Sequence, residues 1–339
     1  MVRAVVCPDK FRGSLNASVA AAAIGRGLRR AQCETVIEMP LADGGEGTLD
    51  ALLLGLGGSL RTERVTGPSG NHVDAQWAML QRGGAVIEMA RASGHALIEG
   101  QRDALRATTR GTGELIDAAI RAGCKKVIVG VGGSATTDGG LPALDALRWS
   151  LRGADVIVAC DVSVRFLDAA AQFGPQKGAT PAQVSLLARR LATLATTYRE
   201  RTGVDVSVIE GSGAAGGLAG GLAAIGARLE PGFDVVANAL GFDDLLATGC
   251  DLLVTGEGKL DASSLQGKVV GGALDAASEY GIARRVVICG VAEPEVRADL
   301  EAQGVAVFAL ADRAWDLDDA FTRAELLCEE AALECGAGR

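Results

Sequence analysis

Five glycine-bearing stretches of this 339-residue chain carry side chains able to do chemistry. Residues 211–221, GSGAAGGLAGG, place six glycines in eleven positions. Bare backbone of that kind lets N–H groups crowd a phosphate, with Gly213, Gly216 and Gly217 as the contacts. Residues 130–140, GVGGSATTDGG, join the open backbone of Gly132 and Gly133 to the hydroxyls of Ser134, Thr136 and Thr137 and the carboxylate of Asp138. Hydroxyls, an acid and bare backbone in one loop are what a phosphate–Mg²⁺ site requires. In DGGEG, residues 43–47, Asp43 and Glu46 suit a magnesium ion, a substrate hydroxyl or general-base work. In GEGKLD, residues 256–261, Glu257, Lys259 and Asp261 alternate around Gly258 and can converge on one ligand. FGPQKG, residues 173–178, offers Lys177 on a turn as a point charge for phosphate.

Each stretch also has a plainer reading. The 211–221 run can be tight helix packing through small residues, and Asp138 an ordinary Asx-type turn. Asp43 can cap the helix that follows it, and Glu46 can complement that helix's dipole. Lys259 can belong to a surface salt bridge, and Lys177 can be merely solvated. Taken together, however, the stretches form the inventory of phosphoryl transfer, where positioning and charge neutralisation do most of the catalysis. No GxxxxGK[ST] occurs, so this is not a P-loop kinase. Gly211, Gly213 and Gly216 spell GxGxxG, but the ribose-binding acid expected after the next strand is missing. An NAD-dependent oxidoreductase of a small hydroxy acid is the alternative that this match raises.

The elements that must hold these loops follow from the apolar pattern. Residues 3–7, closed by Pro8, and 35–39, closed by Pro40, read as strands. Between them Asn16 caps a helix to Arg30, with Ala20, Ile24 and Leu28 on one face. Residues 44–56 read as a loop turning into a helix, which completes a parallel βαβ pattern. From Ser59 the rhythm changes to short runs at 60–65, 73–80 and 85–89, separated by GPSGN and QRGG, turns suited to antiparallel hairpins. A helix at 112–122, strands at 126–131, 156–159 and 204–209, and a long helix at 181–202 are predicted next. Strands at 251–255, 285–289 and 305–309 then restore the α/β rhythm. The expected fold is α/β with two domains. One is doubly wound and built from residues 1–58 plus 240–339; the other, 59–239, is an inserted mixed α/β domain.

Composition agrees: 339 residues at roughly 150 per domain suggest two domains. The chain is 48% hydrophobic but only 4% aromatic, with 47 glycines, which suits α/β rather than an all-β sandwich. A net charge of −9 argues against a nucleic-acid surface or an anionic-membrane anchor. Eight scattered cysteines without CxxC spacing read as reduced thiols of a cytoplasmic protein. Neither a signal peptide nor a transmembrane segment is apparent. Two histidines exclude a three-His zinc site.

Read in order, these stretches resemble the bacterial class I glycerate kinases. The resemblance rests on CPDKFRGSL, PLADGGEGT, VTGPSG, AVIEMARASG, TRGTGELI, VGVGGSATTDGG, VACDV, FGPQKGAT, GSGAAGGLAGG and LLVTGEGKLD, from residue 5 to roughly 290. It implies a flavodoxin-like domain with a restriction-endonuclease-like insert, ATP and Mg²⁺ as cofactors, and phosphorylation of D-glycerate to 2-phosphoglycerate. Family members carry a few dozen more residues between the GGSATTDGG loop and the CDV strand; here only residues 141–159 lie there. Arg12 stands where a lysine is usual, and Lys259 where an arginine is.

On this reading Gly132, Gly133, Ser134, Thr136, Gly213, Gly216 and Gly217 hold the ATP phosphates, with Lys177 neutralising charge. Asp138 or Asp161 holds Mg²⁺. Asp43, Glu46, Glu257 and Asp261 face the glycerate hydroxyls, one of them taking the attacking proton. Lys10, Arg12 and Lys259 bind the substrate, Lys10 and Arg12 pairing with its carboxylate. A paralogue that kept the ligand pocket but lost turnover with the shortened segment is a further alternative. No nucleic-acid or membrane partner is expected, and a homodimer is left open.

Overall fold

The structure is a computed structural model and describes residues 2–100 and 102–338. Among these residues the first six strands are β1 (Arg3–Val6), β2 (Thr35–Glu38), β3 (Gly58–Thr66), β4 (His72–Leu80), β5 (Gly84–Glu88) and β6 (Lys126–Gly130). They are followed by β7 (Asp155–Ala159), β8 (Arg228–Glu230), β9 (Leu252–Leu260), β10 (Arg284–Ala292) and β11 (Val305–Ala309). The chain forms two compact units. One takes everything through Asp43 together with Phe233 onward; the other is Gly44–Gly232.

The first unit is built on a wholly parallel sheet in the order β2-β1-β9-β10-β11. Counted within the unit this is 2-1-3-4-5, the flavodoxin-like order, whose ligands bind outside the carboxyl ends of the strands where the order reverses. Apolar residues fill both faces: Val6, Leu252, Val254 and Ile288 on one side, Val287, Cys289 and Val307 on the other. The helix Ala17–Arg30 starts where expected because Asn16 accepts a hydrogen bond from the Val19 N–H at 2.8 Å. Its fully buried Ala20, Ile24 and Leu28 pack against the helix Ala324–Gly336.

The second unit has a mixed sheet in the order β3-β4-β5-β6-β7-β8. β3–β4 and β4–β5 are the antiparallel hairpins that GPSGN and QRGG announced; β5 through β8 are parallel. The helix Pro181–Thr202 opens on a capping box between Thr180 and Gln183 and closes at Gly203, whose φ of 80° is the left-handed cap. Tyr198 near its end is buried and donates its hydroxyl to the Gly139 carbonyl at 2.9 Å, anchoring the 130–140 loop from behind.

Two expectations change. Residues 204–209 form turns rather than a strand. The Asp205 carboxylate accepts bonds from the Ser207 N–H and hydroxyl, a local turn that competes with a ladder, and Val208 points to solvent at 66% exposure. The sixth strand is instead the short β8. The GxGxxG run therefore follows a turn, so the strand–loop–helix setting of a dinucleotide fingerprint is absent. The units also divide at 43/44 and 232/233 rather than at 58/59 and 239/240. The helix Thr48–Leu56 packs on β4 and β5, and buried Glu88 accepts the Gly47 and Leu49 N–H groups at its start, at 2.8 and 3.0 Å. Phe233 packs edge-on against Phe242, with centroids 6.2 Å apart, and so belongs to the first unit.

Candidate active site

In the first unit a cavity of about 340 Å³ opens at the carboxyl ends of β1, β9 and β10. That is the switch point between β1 and β9. Its polar lining includes Asp9, Lys10, Arg12, Asp43, Glu257, Lys259, Asp261 and Lys268; Leu317 and Phe321 form an apolar wall. Pro8 stops β1, yet the ladder to β9 continues: the Cys7 N–H donates to Val254 O, and the Asp9 N–H to Gly256 O, both at 2.8 Å. Buried Phe11 then exchanges hydrogen bonds with Leu15, closing a tight turn that presents Lys10 and Arg12 to the cavity. The Leu41 N–H donates to Pro8 O at 3.0 Å, bringing the chain that ends in Asp43 alongside.

The carboxylates here have unlike environments. Asp9 is 8% exposed; burial pushes its carboxyl up to about 6, with Lys10 opposing and Asp43 reinforcing the rise. Burial likewise pushes Glu257 up to about 7, and one of its oxygens, Oε1, is buried with no hydrogen-bond partner. Asp261 goes the other way. Hydrogen bonds from Ser263 first, and Lys259 next, hold it down at about 2. Lys259 spans Asp261 at 3.1 Å and Glu293 at 2.7 Å with its side chain 60% exposed, so the surface salt-bridge reading describes it.

In the second unit three glycine loops converge at the ends of β6 and β7. A Cβ on Gly132 would lie 2.7 Å from the Cα of Gly45, so the GVGG and DGGEG loops touch backbone to backbone. Gly216, at a φ of 67°, sits where a Cβ would fall 2.0 Å from Thr136 O. The 211–221 run is thus buried against the 130–140 loop. The N–H groups of Gly213 and Gly217 are already bonded, to Val164 O and Gly213 O.

The Asp138 carboxylate is likewise engaged within its loop. Oδ2 accepts from the Thr109 N–H and hydroxyl and Oδ1 from the Gly140 N–H, so the carboxylate ties the loop together. Lys177 is buried, donates to Thr136 O at 2.6 Å, and is pushed down by burial to about 8 against the opposing pull of Asp138. Gly132, Gly133 and Ser134 keep partial exposure, with His95 Nδ1 2.9 Å from Gly133 O behind them.

The profile described as the glycerate kinase family matches residues 4–155 and 143–337. The chain belongs to the glycerate kinase family. It is 37% identical to the glycerate 2-kinase of Escherichia coli (strain K12), covering 82% of this chain and 83% of that one. It is 36% identical to the glycerate kinase of Halalkalibacterium halodurans over 365 aligned positions, covering 97% and 96%. A crystal structure assigned as glycerate kinase 2 from Salmonella typhimurium LT2 superposes with a TM-score of 0.86 at 34% identity, covering 99% of this chain and 98% of that one. An alignment of 365 positions exceeds the 339 residues present, and the two profile matches overlap at 143–155, so this member is short in that region. There the chain leaves the helix Leu141–Ala146 and passes through Arg148, Trp149 and Arg152, all at positive φ, before β7 begins. Trp149 packs edge-on against Tyr198 and lies under the Arg201 guanidinium.

Of the glycerate kinase residues expected from sequence, Lys10, Arg12, Asp43, Glu257, Lys259 and Asp261 share one cavity. Glu46 and Asp161 are exposed in the other unit. Sequence reasoning missed Asp9, Lys268 and Glu88. Asp9 lies inside the quoted CPDKFRGSL, just beyond the first strand, and that position was its signal. Lys268, at the start of the helix Val269–Glu279, and Glu88, in AVIEMARASG, carry no local pattern that marks them.

Proposed function

We propose that the protein transfers the γ-phosphoryl group of ATP to D-glycerate, giving 2-phosphoglycerate. The observation that supports this most is the cavity at the β1/β9 switch point, where cations and carboxylates line one small space in a glycerate kinase family member. Lys10, Arg12 and Lys268 suit the glycerate carboxylate and transferred phosphoryl charge, while Asp43 and Glu257 suit its hydroxyls. Gly132, Gly133 and Ser134 are the accessible backbone for nucleotide phosphates in the second unit, and the buried 211–221 run supports them from beneath.

Among the described residues no group of three or more His, Cys, Asp or Glu is placed to hold a metal. That donor set fits Mg²⁺ arriving on the nucleotide, since Mg²⁺ is usually held by one or two carboxylates together with phosphates and water. Asp161, exposed two residues past the end of β7, is the carboxylate we assign to it. Bound there, the ion neutralises phosphate charge.

The test is ADP release from ATP and D-glycerate with and without Mg²⁺, followed by direct addition of enolase. Enolase consumes 2-phosphoglycerate but not the 3-isomer. Mg²⁺-dependent ADP release with immediate enolase turnover is expected. Release without enolase turnover would overturn the product, and no release at all would overturn the kinase reading.

A further inference from the structure

We infer that Asp9 is the catalytic base that takes the proton from the attacking glycerate hydroxyl, with Glu257 as the protonated carboxyl beside it. This rests on the phosphoryl-transfer reading above. Four carboxylates reach the cavity, and their surroundings separate them. Asp261 is held by Ser263 and Lys259, so it is a poor proton acceptor. Glu257 has its Oε1 buried without a partner, an arrangement that favours the neutral acid. Asp43 lies half-buried at the end of the first unit's opening segment.

Asp9 differs from all three. Its backbone is fixed on the sheet by the bond to Gly256 O at 2.8 Å, and nine-tenths of its surface is buried, yet it lines the cavity. Its hydrogen bond from the Lys10 N–H at 2.7 Å and its contact with Lys10 Nζ at 3.7 Å both fall on Oδ1. Oδ2 is the oxygen we assign to the substrate. Lys10 and Arg12, on the same turn, place the substrate carboxylate next to it.

The groups facing Asp9 are Lys10, Asp43 and Glu257; those facing Glu257 are Ser264, Asp9, Lys268, Asp261 and the Cys289 thiol. Two close, desolvated acids do not both ionise readily, so one proton stays between them near neutrality. Glu257, whose Oε1 is buried without a partner, keeps it, and Asp9, with Lys10 against its Oδ1, is left ionised to act as base. In the step, the glycerate oxygen forms a bond to the γ-phosphorus. The bond from that phosphorus to the bridging oxygen breaks with its electron pair, leaving ADP, and the hydroxyl proton passes to Asp9 Oδ2 and on to solvent.

The experiment compares wild type, Asp9→Asn and Asp9→Glu for kcat, KM and pH profile, with thermal melting as a check on folding. Asp9→Asn is expected to lower kcat by about 10²–10⁴-fold, as for loss of a general base, while KM for D-glycerate changes far less. Asp9→Glu should recover part of the loss. Wild type should show an acid limb in kcat above pH 5, a readout that stands even if a variant fails to fold. A folded Asp9→Asn protein within threefold of wild-type kcat, or a wild-type profile flat to pH 5, overturns the Asp9 assignment and leaves the kinase reading standing. Wild type that releases no ADP overturns both.

Discussion

The amide of Asp9 donates to the carbonyl of Gly256, the residue immediately before Glu257, so the two acids extend from adjacent parallel strands on the same edge of the cavity. Burying Glu257 has a stability consequence of definite sign. Its folded-state carboxyl is raised from 4.5 to about 7, so its contribution to stability is complete below pH 4.5 and is lost as pH rises through 7. Glu257→Gln should therefore match wild type near pH 4.5 and become the more stable protein by pH 8. At about 1.4 kcal/mol per pH unit the difference is at most roughly 3 kcal/mol. Denaturant melts at pH 4.5, 6 and 8 measure it; a gap that does not widen with pH would show Glu257 to be solvated.

Asp43 acts on Asp9 through charge. Its negative charge helps hold the Asp9 carboxyl up. Asp43→Asn should lower turnover at least about tenfold by removing a hydroxyl partner, with melting unchanged. The residual activity should also have its acid limb moved to lower pH, because Asp9 then ionises more easily. Near-normal turnover would remove Asp43 from the substrate contacts.

The parts of the fold written in local pattern were readable in advance. Asn16 before an apolar stripe, the GPSGN hairpin and the apolar runs at both ends of the chain each carry their own period or turn chemistry. The run 204–209 deceived because Val204, Val206 and Val208 alternate like a strand, while Asp205 folds back on Ser207. The second compact unit begins earlier than the predicted insert because Glu88, 39 residues from Leu49, caps the helix after DGGEG, and no local pattern announces so distant a cap. Asp43 and Glu257 were legible as carboxylates past strand ends. Asp9 also lies past a strand end, but its burial, which sets it apart, does not show there: it is set by the β1–β9 pairing across more than 240 intervening residues.

Lys177 provides a test of structural against phosphate-binding roles. It is buried, donates to Thr136 O at 2.6 Å and sits near Asp138. Lys177→Met leaves a buried carboxylate without its cation and a carbonyl without its donor, at an expected cost of about 2–4 kcal/mol. Because the lysine is lowered from 10.5 to about 8, the unfolded chain binds the proton more tightly, and wild-type stability should gain as pH rises from 8 to 10.5. The variant should lose that gain. A variant as stable as wild type but with a raised KM for ATP would instead favour a direct phosphate contact.

Gly216 tests whether the 211–221 run is packing or cradle. Its φ of 67° and the 2.0 Å separation a Cβ would have from Thr136 O leave no room for a side chain. Gly216→Ala combines left-handed backbone strain of about 1–2 kcal/mol with overpacking of about 1–3 kcal/mol. The loop it would displace carries Thr136, the acceptor of Lys177, so damage should spread to the Gly132–Ser134 backbone on the same loop. The expected result is a melting temperature several degrees lower, with KM for ATP raised more than KM for D-glycerate, whose candidate contacts lie in the other unit. Equal stability with only ATP affinity lost would mean that the glycine admits a phosphate rather than a neighbouring loop.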